Sequence, residues 1–144
     1  VALNTNHAPA HHFSGWIKVW LGEPDLALQH FDHAMRLSPV DPFIYFNLHG
    51  AAHALFFAGR FDEAIERALA ALREQPDHNG ALRIAVASMA KGGRRHEAAS
   101  MLVRLRSSDP TLRVSNLRNK LGAYRDRKHV AIYEDALRAA GLPE

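Results

Sequence analysis

His49 and His53 stand four residues apart, a spacing that places two imidazoles on one face of a helix and could give a divalent metal two of its ligands. The chain has ten histidines and no cysteine, so a metal site would have to be built from imidazole and carboxylate. The residues between the pair are Gly50-Ala51-Ala52, so no glutamate follows His49 and the zinc-protease pattern His-Glu-x-x-His is missing. A third ligand would still be needed, and His30 with His33 and His11 with His12 are expected on other faces. Other catalytic patterns fail as well. Lys91-Gly92-Gly93-Arg94 lacks the spacing of a phosphate-binding loop and reads better as a helix end. Ser88, Ser100 and Ser115 have no nucleophile-elbow context, and every acidic pair fits a solvated helix face. The expectation is a chain without catalysis, metal or cofactor.

What positions these residues is a phrase that recurs three times. It reads Gly22, Ala27, Phe31, Ala34, Pro39, then Gly59, Ala64, Ala68, Ala71, Pro76, then Gly93, Ala98, Leu102, Leu105, Pro110. Both the alanines that open each phrase and the prolines that close it are spaced by 37 and then 34 residues, the mark of a repeat protein. Each part has a physical reason. Glycine ends the first helix of a pair because it adopts the left-handed C-cap conformation without steric cost. Alanine lies where the two helices cross most closely, and a longer side chain would hold them apart. Proline closes the unit because it lacks the amide donor needed to continue a helix.

Composition agrees with an all-α chain of 144 residues, 47% hydrophobic and rich in alanine and leucine, with no segment of strand period to compete. No signal peptide is found, and no apolar run approaches the roughly 20 residues that span a bilayer. The absence of cysteine allows a reducing setting, and a cytoplasmic location without membrane contact is expected.

Periodicity predicts helices over 8–21 and 24–37, 42–58 and 61–74, and 79–91 and 95–107. Repeat two carries three extra residues within 38–43, expected to lengthen the start of its first helix, with Asp41 as N-cap and Pro42 at the first helical position. After Pro110 the phrase stops. A short helix is predicted over 111–121 and a longer one over 127–140, whose Val130, Tyr133, Leu137 and Ala140 share a face. These are expected to cap the apolar side of the third repeat, the alternative being a swapped or partner-binding helix.

A helical pair repeated at about 34 residues resembles the tetratricopeptide repeat (TPR) family over most of the chain. The resemblance implies an all-α, TPR-type superhelix, a right-handed solenoid of antiparallel helix pairs with C-terminal capping helices. Residues 8–41, 42–78 and 79–110 would be the three repeats and 111–144 the cap. Thr5 falls one unit before Pro39, so residues 1–7 read as the tail of a preceding repeat in a longer protein. In this family the first helix of each pair lines a concave groove. Its ligand-facing slots fall on His12, Trp16, Val19 and Trp20, then His49, His53, Phe56 and Phe57, then Arg83, Ala87 and Lys91. Such an aromatic, partly basic wall suits a protein or peptide with apolar anchors and an acid. Trp16 is the stronger groove candidate, and Phe56 and Phe57 the stronger core candidates. The family's clamp for a terminal carboxylate needs lysine, asparagine and arginine at slots that here hold His12, Trp16, Gly50, Gly80 and Ile84, so that device is missing.

The tail from Tyr133 to Glu144, with Asp41-Pro42-Phe43-Ile44-Tyr45-Phe46 and the run from Phe56 to Ala64, is similar to the C-terminal TPR region of bacterial class III adenylate/guanylate cyclases. Similar tails follow winged-helix transcriptional regulators. The likeness is one of scaffold and carries no catalytic motif. It implies a regulatory domain in cyclic-nucleotide signalling, serving protein interaction, homodimerisation or contact with other domains of the parent.

Charge is uneven. Residues 1–78 hold five Lys/Arg against nine Asp/Glu, a balance of −4, whereas residues 91–128 hold eleven against three, a balance of +8. Arg94, Arg95, Arg104, Arg106, Arg113, Arg118, Lys120, Arg125, Arg127 and Lys128 form this basic surface. Few aromatics interleave with them and no reading helix is evident, so the default reading is a solvated face, with an acidic protein surface ahead of nucleic acid as a partner.

Overall fold

The computed structural model describes residues 8–144, and the expected repeat tail over 1–7 lies outside the described residues. Every regular element among them is helical: α1 (Ala8–Trp20), α2 (Pro24–Leu37), α3 (Ile44–Phe57), α4 (Phe61–Glu74), α5 (Asn79–Lys91), α6 (Arg95–Ser108), the 3-10 helix η1 (Val114–Lys120) and α7 (Arg127–Ala140).

The hairpin turns follow from the glycines. Gly22, Gly59 and Gly93 have φ of 78°, 78° and 79°, and Gly141 has 109°. At each of the three hairpin turns the amide three residues past the helix reaches back to the third carbonyl from its end: Glu23 N–H to Lys18 O at 2.8 Å, Arg60 to Leu55 at 2.9 Å and Arg94 to Met89 at 2.8 Å. These are Schellman caps, which satisfy the orphan carbonyls and reverse the chain within three residues.

Short turns make α1 and α2, α3 and α4, and α5 and α6 neighbours, and α2 packs on α3 and α4 on α5. The first helices also touch one another, α1 on α3 and α3 on α5, so they form one face of the molecule. The second helices bury their alanines. Ala27, Ala34, Ala64, Ala68 and Ala71 are fully buried and Ala98 nearly so. Phe31 of α2 fills the space between α1 and α3, where a Cβ on Gly15 or Gly50 would lie 2.8 Å or 2.5 Å from its ring. Two ion pairs tie the second helices together, Asp32 of α2 with Arg67 of α4 at 2.7 Å and Asp62 of α4 with Arg94, the residue before α6, at 3.0 Å.

Residues 38–43 do not extend α3, which starts at Ile44. The Asp41 carboxylate accepts the Phe43 amide at 2.8 Å and its carbonyl accepts from Ile44 at 3.1 Å, so the extra residues close a separate turn. The helix expected over 111–121 is the shorter η1, because Arg113 is extended and its amide bonds to the Asn116 side chain instead.

The tail does more than cover the third helical pair. α7 packs mainly on α5, and its N-terminal end reaches α1, where the His129 ring lies against Gly22. Tyr133 is completely buried against Phe56 and Phe57 of α3, while Leu137 and Leu142 join the core with Leu102 and Leu105 of α6. Pro143 O accepts the Val114 amide at 2.9 Å, fixing the end of the chain on η1. α7 therefore lies along the face made by the first helices.

Candidate functional site

On that face is a cleft of about 290 Å³, lined by His12, Phe13, Trp16, Trp20, Phe46, His49, His53 and Arg83 together with Lys120, Leu121, Gly122 and Tyr124. α1 supplies the tryptophans one turn apart, with ring centroids separated by 6.1 Å. α3 supplies Phe46 and the two histidines, and α5 supplies Arg83. Helical spacing explains these sets: residues three or four apart repeat along one face. The last wall is the segment before α7, held by the Arg125 amide donating to Trp20 O at 2.8 Å and by Gly122 seated on the Trp20 indole. A side chain at 122 would collide with that ring.

The cleft brings together six of the groove residues expected from the sequence: His12, Trp16, Trp20, His49, His53 and Arg83. Val19, Phe56 and Ala87 lie in the core at 3%, 2% and 0% exposure, so they support the cleft from behind. Phe57 is half-buried against Tyr124, His129 and Tyr133. Lys91 is exposed at the end of α5 and does not line the cleft. Lys120, read as part of the basic surface, stands at the cleft rim and pairs with buried Asp109 at 3.4 Å. Phe46 is spaced three residues from His49 and could have been found by that signal. Nothing in the local sequence places Tyr124 or Gly122 beside Trp20.

Behind the aromatic wall lies a polar chain. His53 Nδ1 is 2.7 Å from the His49 carbonyl, which can only accept, so Nδ1 carries the proton. Burial pushes the His53 pKa down to about 3, aided by the charges of Arg83 and His78 and opposed by the bond to His49, so the ring is neutral. Its Nε2 is then an acceptor, and the Tyr133 hydroxyl donates to it at 3.2 Å. Burial likewise holds Tyr133 and Tyr124 in their neutral phenol forms. His49 is shifted well down by burial and by its neighbours His53, His78 and Arg83, and its ring packs on Gly80. With both His53 nitrogens engaged, the 49/53 pair cannot chelate a metal. Among the described residues no group of three or more His, Asp or Glu is arranged to hold one.

The histidines outside the cleft are less scattered than their spacing implies. His11 and His30 approach Nδ1 to Nδ1 at 3.2 Å, and the His11 ring meets that of His33 at 4.4 Å. α1 and α2 run side by side, so faces separate in sequence become adjacent. His12 instead turns to Asn47 of α3, its Nδ1 2.8 Å from Oδ1.

Much of the basic surface is tied into the fold. Arg94 pairs with Asp62, Arg118 with Glu134 at 3.2 Å, and Arg104 and Arg113 donate to the carbonyls of Pro76 and of Pro110 and Leu112. Arg95 and Arg106 are exposed on α6, and Arg125, Arg127 and Lys128 at the start of α7. No helix among the described residues is long and apolar enough to cross a membrane. In comparisons with known proteins, no family model and no curated protein matches the chain.

Proposed function

We propose that this chain is a non-catalytic interaction scaffold of the tetratricopeptide kind, engaging a protein or peptide through the aromatic face of α1, α3 and α5. The observation that carries this reading is the cleft that gathers Trp16, Trp20, Phe46 and Arg83 from three different helices. Large aromatics at the edge of a concave site, with the Arg83 guanidinium beside them, supply the anchors that dominate interface energy. The resemblance of the tail and of the second repeat to cyclase-associated repeats supports a role as the regulatory domain of a bacterial adenylate cyclase, in the cytoplasm.

The test is capture of the parent's other domains, or of a second copy of this chain, by the immobilised domain. Trp16→Ala combined with Phe46→Ala should abolish capture while leaving helicity intact. Undiminished capture by a folded double variant would remove the site from this face. The chain alone should make no cyclic nucleotide from ATP or GTP with magnesium or manganese, since such chemistry needs metal-binding carboxylates of another domain. Robust turnover by a clean preparation would overturn the scaffold reading.

A further inference from the structure

We propose that the cleft closed by residues 120–124 is a binding site for a small aromatic monocarboxylate. This inference does not depend on the protein-interaction reading, because the cleft is a chamber made by the tail folding back over α1.

Three observations converge. The walls are the rings of Trp16, Trp20, Phe46 and Tyr124, and a volume of about 290 Å³ is of the size that takes one small ring compound. The lining contains no acid. Its two cations differ: Lys120 is already neutralised by Asp109, whereas no carboxylate pairs with Arg83 among the described residues, and its Nε has no hydrogen-bond partner.

A half-buried guanidinium with no counter-ion and its Nε sealed from solvent, in a cleft walled largely by rings, is costly unless an anion meets it. The polar groups beside it do not supply that anion. His53 is neutral and faces the guanidinium with its Tyr133 partner, and Tyr133 offers only a neutral hydroxyl. One net positive charge matches a monoanion, and the planar fork of arginine matches the two oxygens of a carboxylate. Three groups on the wall are unpartnered: Arg83 Nε and Trp20 Nε1 are donor-only and ask for an acceptor, and His49 Nδ1 can donate or accept according to its tautomer. The ring of the ligand would stack between the indoles and Phe46, with its carboxylate towards α5.

The experiment uses the intact chain, whose only two tryptophans both line the cleft, so their emission reports occupancy directly. Benzoate and phenylacetate are the probes, and benzamide is the uncharged control. Saturable quenching by the acids is expected below about 10 mM, with benzamide at least about tenfold weaker, as loss of a charge-assisted fork requires. Arg83→Met should abolish the response, and Phe46→Ala, at the exposed rim, should weaken it several-fold without altering the melt. No saturable response to either acid, equal response to benzamide, or unchanged affinity in folded Arg83→Met would each overturn the proposal. Should Arg83→Met not fold, the acid-to-amide ratio and Phe46→Ala decide it.

Discussion

Gly50 and His53 sit one turn apart on α3 and show how single residues set the terms for this molecule. Gly50 exists to seat Phe31, since a methyl there would lie 2.5 Å from a ring that is fully buried and enclosed by Gly15 on the other side. Gly50→Ala should therefore destabilise the chain by about 1–3 kcal/mol, the usual cost of overpacking. Adding Phe31→Leu should recover part of that loss in a thermal melt, because the smaller side chain vacates the contested space. His53 makes stability depend on pH. Its pKa falls from 6.5 in the unfolded chain to about 3 in the folded one, so between these values only the unfolded chain takes up the proton. Stability is thus fully present above about pH 6.5 and is lost as pH falls towards 3, at about 1.4 kcal/mol per pH unit. His49 acts in the same direction. Melting temperature should drop between pH 7.5 and 5.5, and His53→Gln should be less stable at pH 7.5 yet show a flatter profile. A profile as steep in the variant as in the parent would remove His53 as the source.

At the scale of elements, the decisive one is α7. Its start is set locally, by the Asp126 side chain accepting the Lys128 amide at 2.9 Å, and its end by the left-handed Gly141. Its position is set by Tyr133, which is buried to completion among Phe56, Phe57 and His53. Tyr133→Ala should cost about 3–5 kcal/mol, as removal of a buried aromatic does. Hydrogen exchange should show α7 and residues 120–125 losing protection before α5 does, since the Arg125 bond to Trp20 depends on α7 being docked. Tyr133→Phe is the milder probe. It leaves the buried His53 Nε2 without its donor, for about 1–3 kcal/mol. Equal loss of protection throughout the chain would mean that α7 unfolds only with the whole.

The whole molecule separates its charge from its aromatic face. The cleft lies between α1, α3, α5 and the tail, while Arg104 and Arg106 are exposed on α6, which supplies none of its lining. Charges at a rim steer association, whereas buried anchors hold the complex. Arg104→Glu with Arg106→Glu should slow capture of an acidic partner and flatten its salt dependence by less than about tenfold in affinity, leaving the dissociation rate nearly unchanged. Loss of capture through faster dissociation would instead make the α6 surface the anchor.

What the amino-acid sequence determined by itself is local. Helical periodicity, with glycine and proline as stops, predicted α2 over 24–37, α4 over 61–74, α5 over 79–91 and, beyond the repeated phrase, α7 over 127–140, and these are the helices found. Capping and termination depend on residues within one turn, so they can be read along the chain. The same reading failed at 38–43, where a side-chain bond from Asp41 competes with helix extension. Of the cleft, the sequence showed the residues that helical spacing aligns on α1, α3 and α5. It did not show that the tail would complete it. His53 and Tyr133 meet across 80 residues, and Trp20 is covered by a backbone glycine of the tail. Such contacts arise only when packed helices bring remote segments together, because the apolar face of α7 is periodic in the sequence but its docking on α3 and α5 has no local signature. Tertiary structure therefore decided the closed end of the cleft, the neutral state of its histidines, and the unpaired charge of Arg83.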